Sequence, residues 1–252
     1  MDNTKLGLIT TLLLGLFIII GAFIAFQIKK KEKVVDFSLG LAFGVIIILL
    51  LTHLVPEIVE HLGLGYIYLF LIFGAIGYCA LKILDKFIPD HDDDGKGMNK
   101  KEQKENLIHI GIVTSVALIL HNIIEGMAIY SSVLSDASLG LAMTIAIGFH
   151  NIPLGMVIAG AFYQSNENMS KTILSILLVS ISTFVGGLIM FFLNLTLISP
   201  IVFGILLSIT LGMLMYITID ELFPRIESTK NKKVTYTGIA IGVIIQLIAL
   251  FL

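Results

Sequence analysis

Eight apolar stretches of about 20 residues each divide this 252-residue chain, and they leave it few folds. At 1.5 Å of rise per residue, that is the length of helix a bilayer's hydrocarbon core requires. Residues 6–28, 37–55, 64–84, 107–133, 139–163, 173–195, 201–222 and 235–252 all qualify. Only helices and closed barrels satisfy their backbone groups in lipid, and continuous apolar runs of this length read as helices. The expected fold is an all-α polytopic membrane protein, residues 1–252 forming one transmembrane domain of eight helices. Charge content agrees: 13% here, against roughly 25% in a soluble domain. The formal net charge of −2 gives no reason to expect a nucleic-acid partner, so the lipid bilayer is the expected surrounding. A single cysteine, Cys79, excludes an internal disulfide and a thiolate metal cage. The first run follows Met1-Asp2-Asn3-Thr4-Lys5 without a small-residue cleavage pattern, and is expected to be a retained helix rather than a signal peptide.

Basic residues set the expected orientation. Lys29, Lys30, Lys31 and Lys33 follow the first segment, and Lys82, Lys86, Lys96, Lys100, Lys101 and Lys104 surround the connection from the third to the fourth. Lys171 lies between the fifth and sixth, while Arg225, Lys230, Lys232 and Lys233 follow the seventh. All but Lys5 of the 16 basic residues thus fall on one side, which the positive-inside rule makes cytoplasmic. Both termini are then outside the cell membrane, and the loop 88–105 is cytoplasmic. That loop contains Asp90-His91-Asp92-Asp93-Asp94-Gly95, which opens like an EF-hand calcium loop. The twelfth position of such a loop needs a bidentate glutamate, and here it is Lys101, so we read a solvated loop ahead of a weak metal collector.

The chemistry is concentrated between His121 and Gly155. His121-Asn122-Ile123-Ile124-Glu125-Gly126-Met127 is echoed by His150-Asn151-Ile152-Pro153-Leu154-Gly155-Met156. An ionisable group at mid-membrane depth is costly and is by default a functional-site hypothesis. His121 and Glu125 are four residues apart and share a helix face, with Asn122 beside them. The fifth segment adds His150 and Asn151. Two imidazoles and one carboxylate suit Zn, Fe, Co or Ni better than Mg or Ca. Pro153 leaves the Phe149 carbonyl without its helical partner and is expected to bend the fifth helix. A weaker echo joins the second and seventh segments. Gly44 is followed nine residues on by His53-Leu54-Val55-Pro56, and Gly212 by Glu221-Leu222-Phe223-Pro224. With one segment running outward and the other inward, this reads as an inverted repeat, a mark of alternating-access transporters.

The two His-Asn motifs resemble those of the ZIP (Zrt/Irt-like) family of metal transporters, particularly its bacterial branch. The resemblance covers nearly the whole chain. It includes Phe37-Ser38-Leu39-Gly40, Gly186-Gly187, Ile198-Ser199-Pro200 and Asp220-Glu221-Leu222-x-Pro224. It implies a 3+2+3 arrangement of helices and a homodimer. It also implies import of a divalent cation, Zn2+ first, with Fe2+, Mn2+, Co2+ or Ni2+ as further candidates and no organic cofactor. His121, Glu125 and His150 match the family's first metal position, and Asn122, Asn151 and Glu125 its second. Four positions depart from the pattern: Leu154 and Thr183 stand where many members have glutamate, Ile124 where they have proline, and His53 where a carboxylate is common. Glu125 alone remains of three mid-membrane carboxylates, so one metal per protomer is expected. The expected route enters past His53, Glu57, Glu60 and His61 and leaves past Asp220 and Glu221. Three other readings stand, one of them a transporter of another cation or of outward direction. A transport-inactive metal-binding or sensing member would account for the lost carboxylates, whereas an intramembrane zinc hydrolase would need a general base that this depth lacks.

Overall fold

In hydrocarbon a backbone must satisfy its own N–H and C=O groups, and a helix does so locally, which is why the apolar runs fold as they do. The computed structural model describes residues 2–27, 31–87, 100–165, 169–193, 199–229 and 231–250, and among these no strand occurs. Among the described residues, eight helices are long and apolar enough to span a membrane. They are α1 (Asn3–Gln27), α2 (Val35–Leu62), α3 (Leu64–Asp85), α4 (Lys100–Ser135), α5 (Ala137–Gln164), α6 (Met169–Phe192), α7 (Pro200–Ser228) and α8 (Lys232–Ala249).

Three boundaries differ from expectation. Helix α4 begins at Lys100, inside the stretch 88–105 expected to be loop. Hydropathy marks only the membrane-crossing part, whereas the Lys-, Glu- and Gln-rich residues that precede it are good helix formers in water. Residues 88–99, which include the Asp90–Gly95 run, lie outside the described residues. Helices α2 and α7 continue past Pro56 and Pro224 instead of ending there. In each, a π-helical turn precedes the proline: Leu50–Leu54 in α2 and Ile217–Leu222 in α7. Val55 N–H reaches Leu50 O and Phe223 N–H reaches Thr218 O, each spanning five residues. The proline then falls in the first turn of the following helical segment, where a missing N–H costs little. The Gly44 and Gly212 echoes thus end in the same local geometry.

Contacts between helices repeat in the same way. Helix α1 packs on α5 and α4 on α6, while α2 packs on α8 and α3 on α7. Exchanging α1 with α6, α2 with α7, α3 with α8 and α4 with α5 maps this set of contacts onto itself. Each exchanged pair joins an odd helix to an even one, so its members run in opposite senses. This is the expected 3+2+3 arrangement.

Close backbone approach secures it, because lipid is as apolar as leucine and drives no helix association by itself. A Cβ at Gly126 would stand 1.9 Å from Thr183 O, and one at Gly186 would stand 2.0 Å from Ile123 O, so α4 and α6 touch backbone to backbone. The α1–α5 contact repeats this, with Gly155 against Ile18 O (2.1 Å) and Gly21 against Ile152 O (1.9 Å). Gly126 and Gly155 occupy equivalent places in the two His-Asn motifs. Gly40 and Gly44 face Thr235 O and Ile239 O of α8, so that pair serves packing within one protomer. Gly126→Ala is expected to cost about 1–3 kcal/mol, seen as a lower melting temperature in detergent. Gly74→Ala, whose Cβ would meet nothing nearer than Ser208 O at 3.7 Å, should leave the melting temperature within error.

Candidate metal centre

Helical spacing and the α4–α5 contact together bring three ligand atoms to one point. His121 and Glu125, one turn apart on α4, place Nε2 and Oε1 3.1 Å from each other. His150 on α5 brings its Nε2 to 2.9 Å from the same Glu125 Oε1. The imidazoles are tilted by 41° with centroids 6.2 Å apart, so both edges address the carboxylate rather than stacking. Ligands of one tetrahedral zinc stand roughly 3.3 Å apart, and both imidazole nitrogens stand close to that distance from Glu125 Oε1. Both histidines are buried, and the Glu125 side chain keeps 9% of its accessible surface.

The two asparagines behave differently from each other. Asn151 donates from Nδ2 to Glu125 Oε2 at 3.5 Å, on the side of the carboxylate away from the imidazoles. Asn122 turns to the neighbouring helix and donates from Nδ2 to Val179 O of α6 at 3.0 Å. Both are fully buried, and the Oδ1 atom of each has no hydrogen-bond partner among the described residues. Leu154 and Thr183, where carboxylates were expected by resemblance, are also buried. Thr183 sits where its own carbonyl abuts Gly126. Helix α5 runs unbroken through Pro153.

A pocket lined by His53, Glu57, His121, Glu125, Met143 and Phe203, among others, joins two members of this trio to the His53–Glu57 end of α2. His53 and Glu57 face each other one turn apart, Nε2 to Oε2 at 3.3 Å. His53 lies in the π-helical turn and Glu57 in the helical segment that follows it. Of the four residues proposed at an entrance, these two line the pocket. His61 instead packs its ring edge-on against Phe203 with centroids 4.9 Å apart, and Glu60 is exposed.

The opposite end holds Asp220 and Glu221 in a larger network than the motifs indicated. Glu221 accepts from Arg225 Nη2 at 2.9 Å, and its other oxygen lies 3.7 Å from His109 Nε2. His109 also lies 2.7 Å from Asp85 Oδ1, while Tyr216 donates to Asp85 Oδ2 at 2.6 Å. Asp220 accepts from Tyr78 and pairs with Lys82 at 3.6 Å. Asp85 and His109 were missed. They stand at the edges of apolar runs and 24 positions apart, and only the rule that intramembrane ionisable groups are functional candidates could have flagged His109. Among the described residues, two groups have all ligand atoms within 4.8 Å of one another: His121–Glu125–His150 and Asp85–His109–Glu221.

The α4–α6 hydrogen bond implies a structural role for Asn122. Asn122→Ala is expected to lower stability by about 1 kcal/mol, measured by thermal melting of protein kept in chelator. An unchanged melting temperature would count against that role.

Residues 88–250 match the family model described as ZIP Zinc transporter. The chain is 30% identical over 279 residues to the zinc transporter ZupT of Clostridium perfringens (strain 13 / Type A), an alignment covering 100% of this chain and 97% of the relative. It is 29% identical over 266 residues to ZupT of Chlorobium chlorochromatii (strain CaD3), covering 100% and 98%. With ZupT of Streptococcus mutans serotype c it shares 30% over 255 residues, covering 97% and 96%.

Proposed function

The chain belongs to the ZIP zinc transporter family, and from that premise we propose that His121, Glu125 and His150 hold a single divalent cation midway along its transport route. Transport of divalent metal cations, zinc foremost, is the function that the family match and the relatives support. The observation that carries the site is the convergence of two imidazole nitrogens on one oxygen of Glu125, which with His121 lines a pocket.

In this reading a hydrated ion enters between His53 and Glu57 and exchanges water for protein ligands. His121 and His150 supply nitrogen and Glu125 supplies the negative charge, a set suited to zinc. Asn151 holds the carboxylate in place through its far oxygen. The ion then leaves toward Glu221 and Asp220. With the basic residues on the cytoplasmic side, this is import, and both termini lie outside.

One ion rather than two follows from electrostatics. Two divalent ions about 4 Å apart repel by on the order of 15 kcal/mol even at an effective dielectric near 20. Glu125 is one carboxylate, Leu154 and Thr183 add no charge, and Asn122 already binds α6. The resemblance favours a homodimer, and the lipid-facing side of α3, which includes Tyr68, Leu71 and Ile72, is one apolar surface open to such packing.

Glu125→Ala should abolish zinc uptake into cells or proteoliposomes, and Asn151→Ala should only reduce it. In purified protein Glu125→Ala should lose one zinc per protomer, not two. Leu154→Glu should gain one over the wild type. Undiminished uptake by Glu125→Ala would reject the site, and loss of two zinc ions would reject its single occupancy.

A further inference from the structure

We infer that Met143 supplies the His53–Glu125 pocket with a soft donor, and that this thioether biases the pocket toward thiophilic divalent ions such as Cd2+ and away from hard ones such as Mn2+. The inference rests on the reading that ions reach Glu125 through this pocket. Among the described residues that line it, only five carry a metal-binding atom: His53, Glu57, His121, Glu125 and Met143. The rest of the wall, including Leu54, Ile147 and Phe203, is apolar.

Helical periodicity places Met143 on the approach to the trio. Met143, Ile147 and His150 stand at positions i, i+4 and i+7 of α5 and share one face. Met143 is therefore two turns, or about 10 Å, from His150 along the axis. On α4, Ala128 lies one turn past Glu125 and also lines the pocket. The pocket thus extends from the trio toward the turn that joins α4 to α5, which is the end where Met143 stands. One flank of Met143 packs on the small apolar cluster of Leu14, Ile129, Val133 and Ile147, and the side chain is half-buried. It is held in place and still borders the pocket.

Sulfur chemistry decides which ions gain from this. A thioether is uncharged, polarizable and soft, so it leaves the charge of the site unchanged. Mn2+ prefers carboxylate, carbonyl and water oxygens, and gains little from sulfur. A thiophilic ion can exchange a water for it. An ion between the His53–Glu57 pair and the trio passes an otherwise apolar wall, where shed water has few replacements. A donor at that point lowers the cost of shedding water only for ions that accept sulfur. Counting His53 and His121, nitrogen and sulfur donors outnumber carboxylates in the pocket wall.

Two measurements test this, one of binding and one of transport. The nine methionines of the full-length protein are labelled with 13C at the methyl group, and the Met143 resonance is assigned by its loss in Met143→Leu. That resonance should shift on titration with Cd2+ and stay in place with Mn2+. In proteoliposomes, Cd2+ and Mn2+ each compete with zinc uptake, and Met143→Leu should reduce the preference for Cd2+ over Mn2+ by about fivefold. The swap conserves volume and apolarity, and a preference ratio does not change when part of the protein is lost to misfolding. A Met143 methyl that ignores Cd2+, or a preference ratio unchanged in Met143→Leu, would overturn the proposal. A methyl that responds to Cd2+ in a protein that takes up no zinc would support the soft donor and reject the transport reading, so the two failures are distinguishable.

Discussion

A carboxylate at mid-membrane depth is the constraint on which the rest of this structure depends. Glu125 is kept there by two imidazole nitrogens within about 3 Å of one of its oxygens and an amide at the other. One partner, His121, lies a turn away on α4 and the other two, His150 and Asn151, adjoin each other on α5, so α4 and α5 must pack closely and in register. The glycine contacts supply that closeness. Gly126 lets α6 reach α4 and Gly155 lets α1 reach α5, each one residue beyond the position that bears Glu125 or Leu154. The residues that make the site and those that let helices approach it are thus interleaved on the same two turns.

The internal exchange symmetry explains why the two ends of the molecule are chemically related and yet different. His53 and Glu57 in α2 occupy the places of Glu221 and Arg225 in α7, both pairs being four residues apart and both following from a π-helical turn before proline. Such turns often occur at functional sites because the extra residue re-aims the side chains around it. At one end the pair lines a pocket that His121 and Glu125 of the central trio also line. At the other the arginine closes onto the glutamate, and Asp85 and His109 join it. A protein that alternates between openings needs unlike chemistry at its two ends, and here substitution within a repeated frame provides it.

Much of this was legible in the residues. Eight apolar runs of membrane-spanning length required eight helices, and the doubled His-Asn motif pointed to the place where α4 and α5 meet. Helical spacing alone aligned His121 with Glu125. What spacing does not carry is contact between segments. Asn122 looks like a ligand because it adjoins His121, but its neighbour toward Val179 is visible only once α6 is in place. Asp85 and His109 stand at the edges of two apolar runs, and only the fold brings them within reach of Glu221 on α7. Pro56 and Pro224 read as helix ends because a proline lacks an N–H, yet a single wide turn absorbs that lack and lets both helices continue.

The central claim is that the mid-membrane site holds one ion between two imidazoles and one carboxylate. Zinc K-edge X-ray absorption on the loaded protein, with Asp85→Asn and Glu221→Gln removing the other candidate donors, reads this directly. The account predicts two imidazole nitrogens and carboxylate oxygen at about 2.0–2.2 Å, with no metal–metal scattering. A zinc–zinc vector at about 3.5–4 Å would contradict it, and so would a first shell without imidazole.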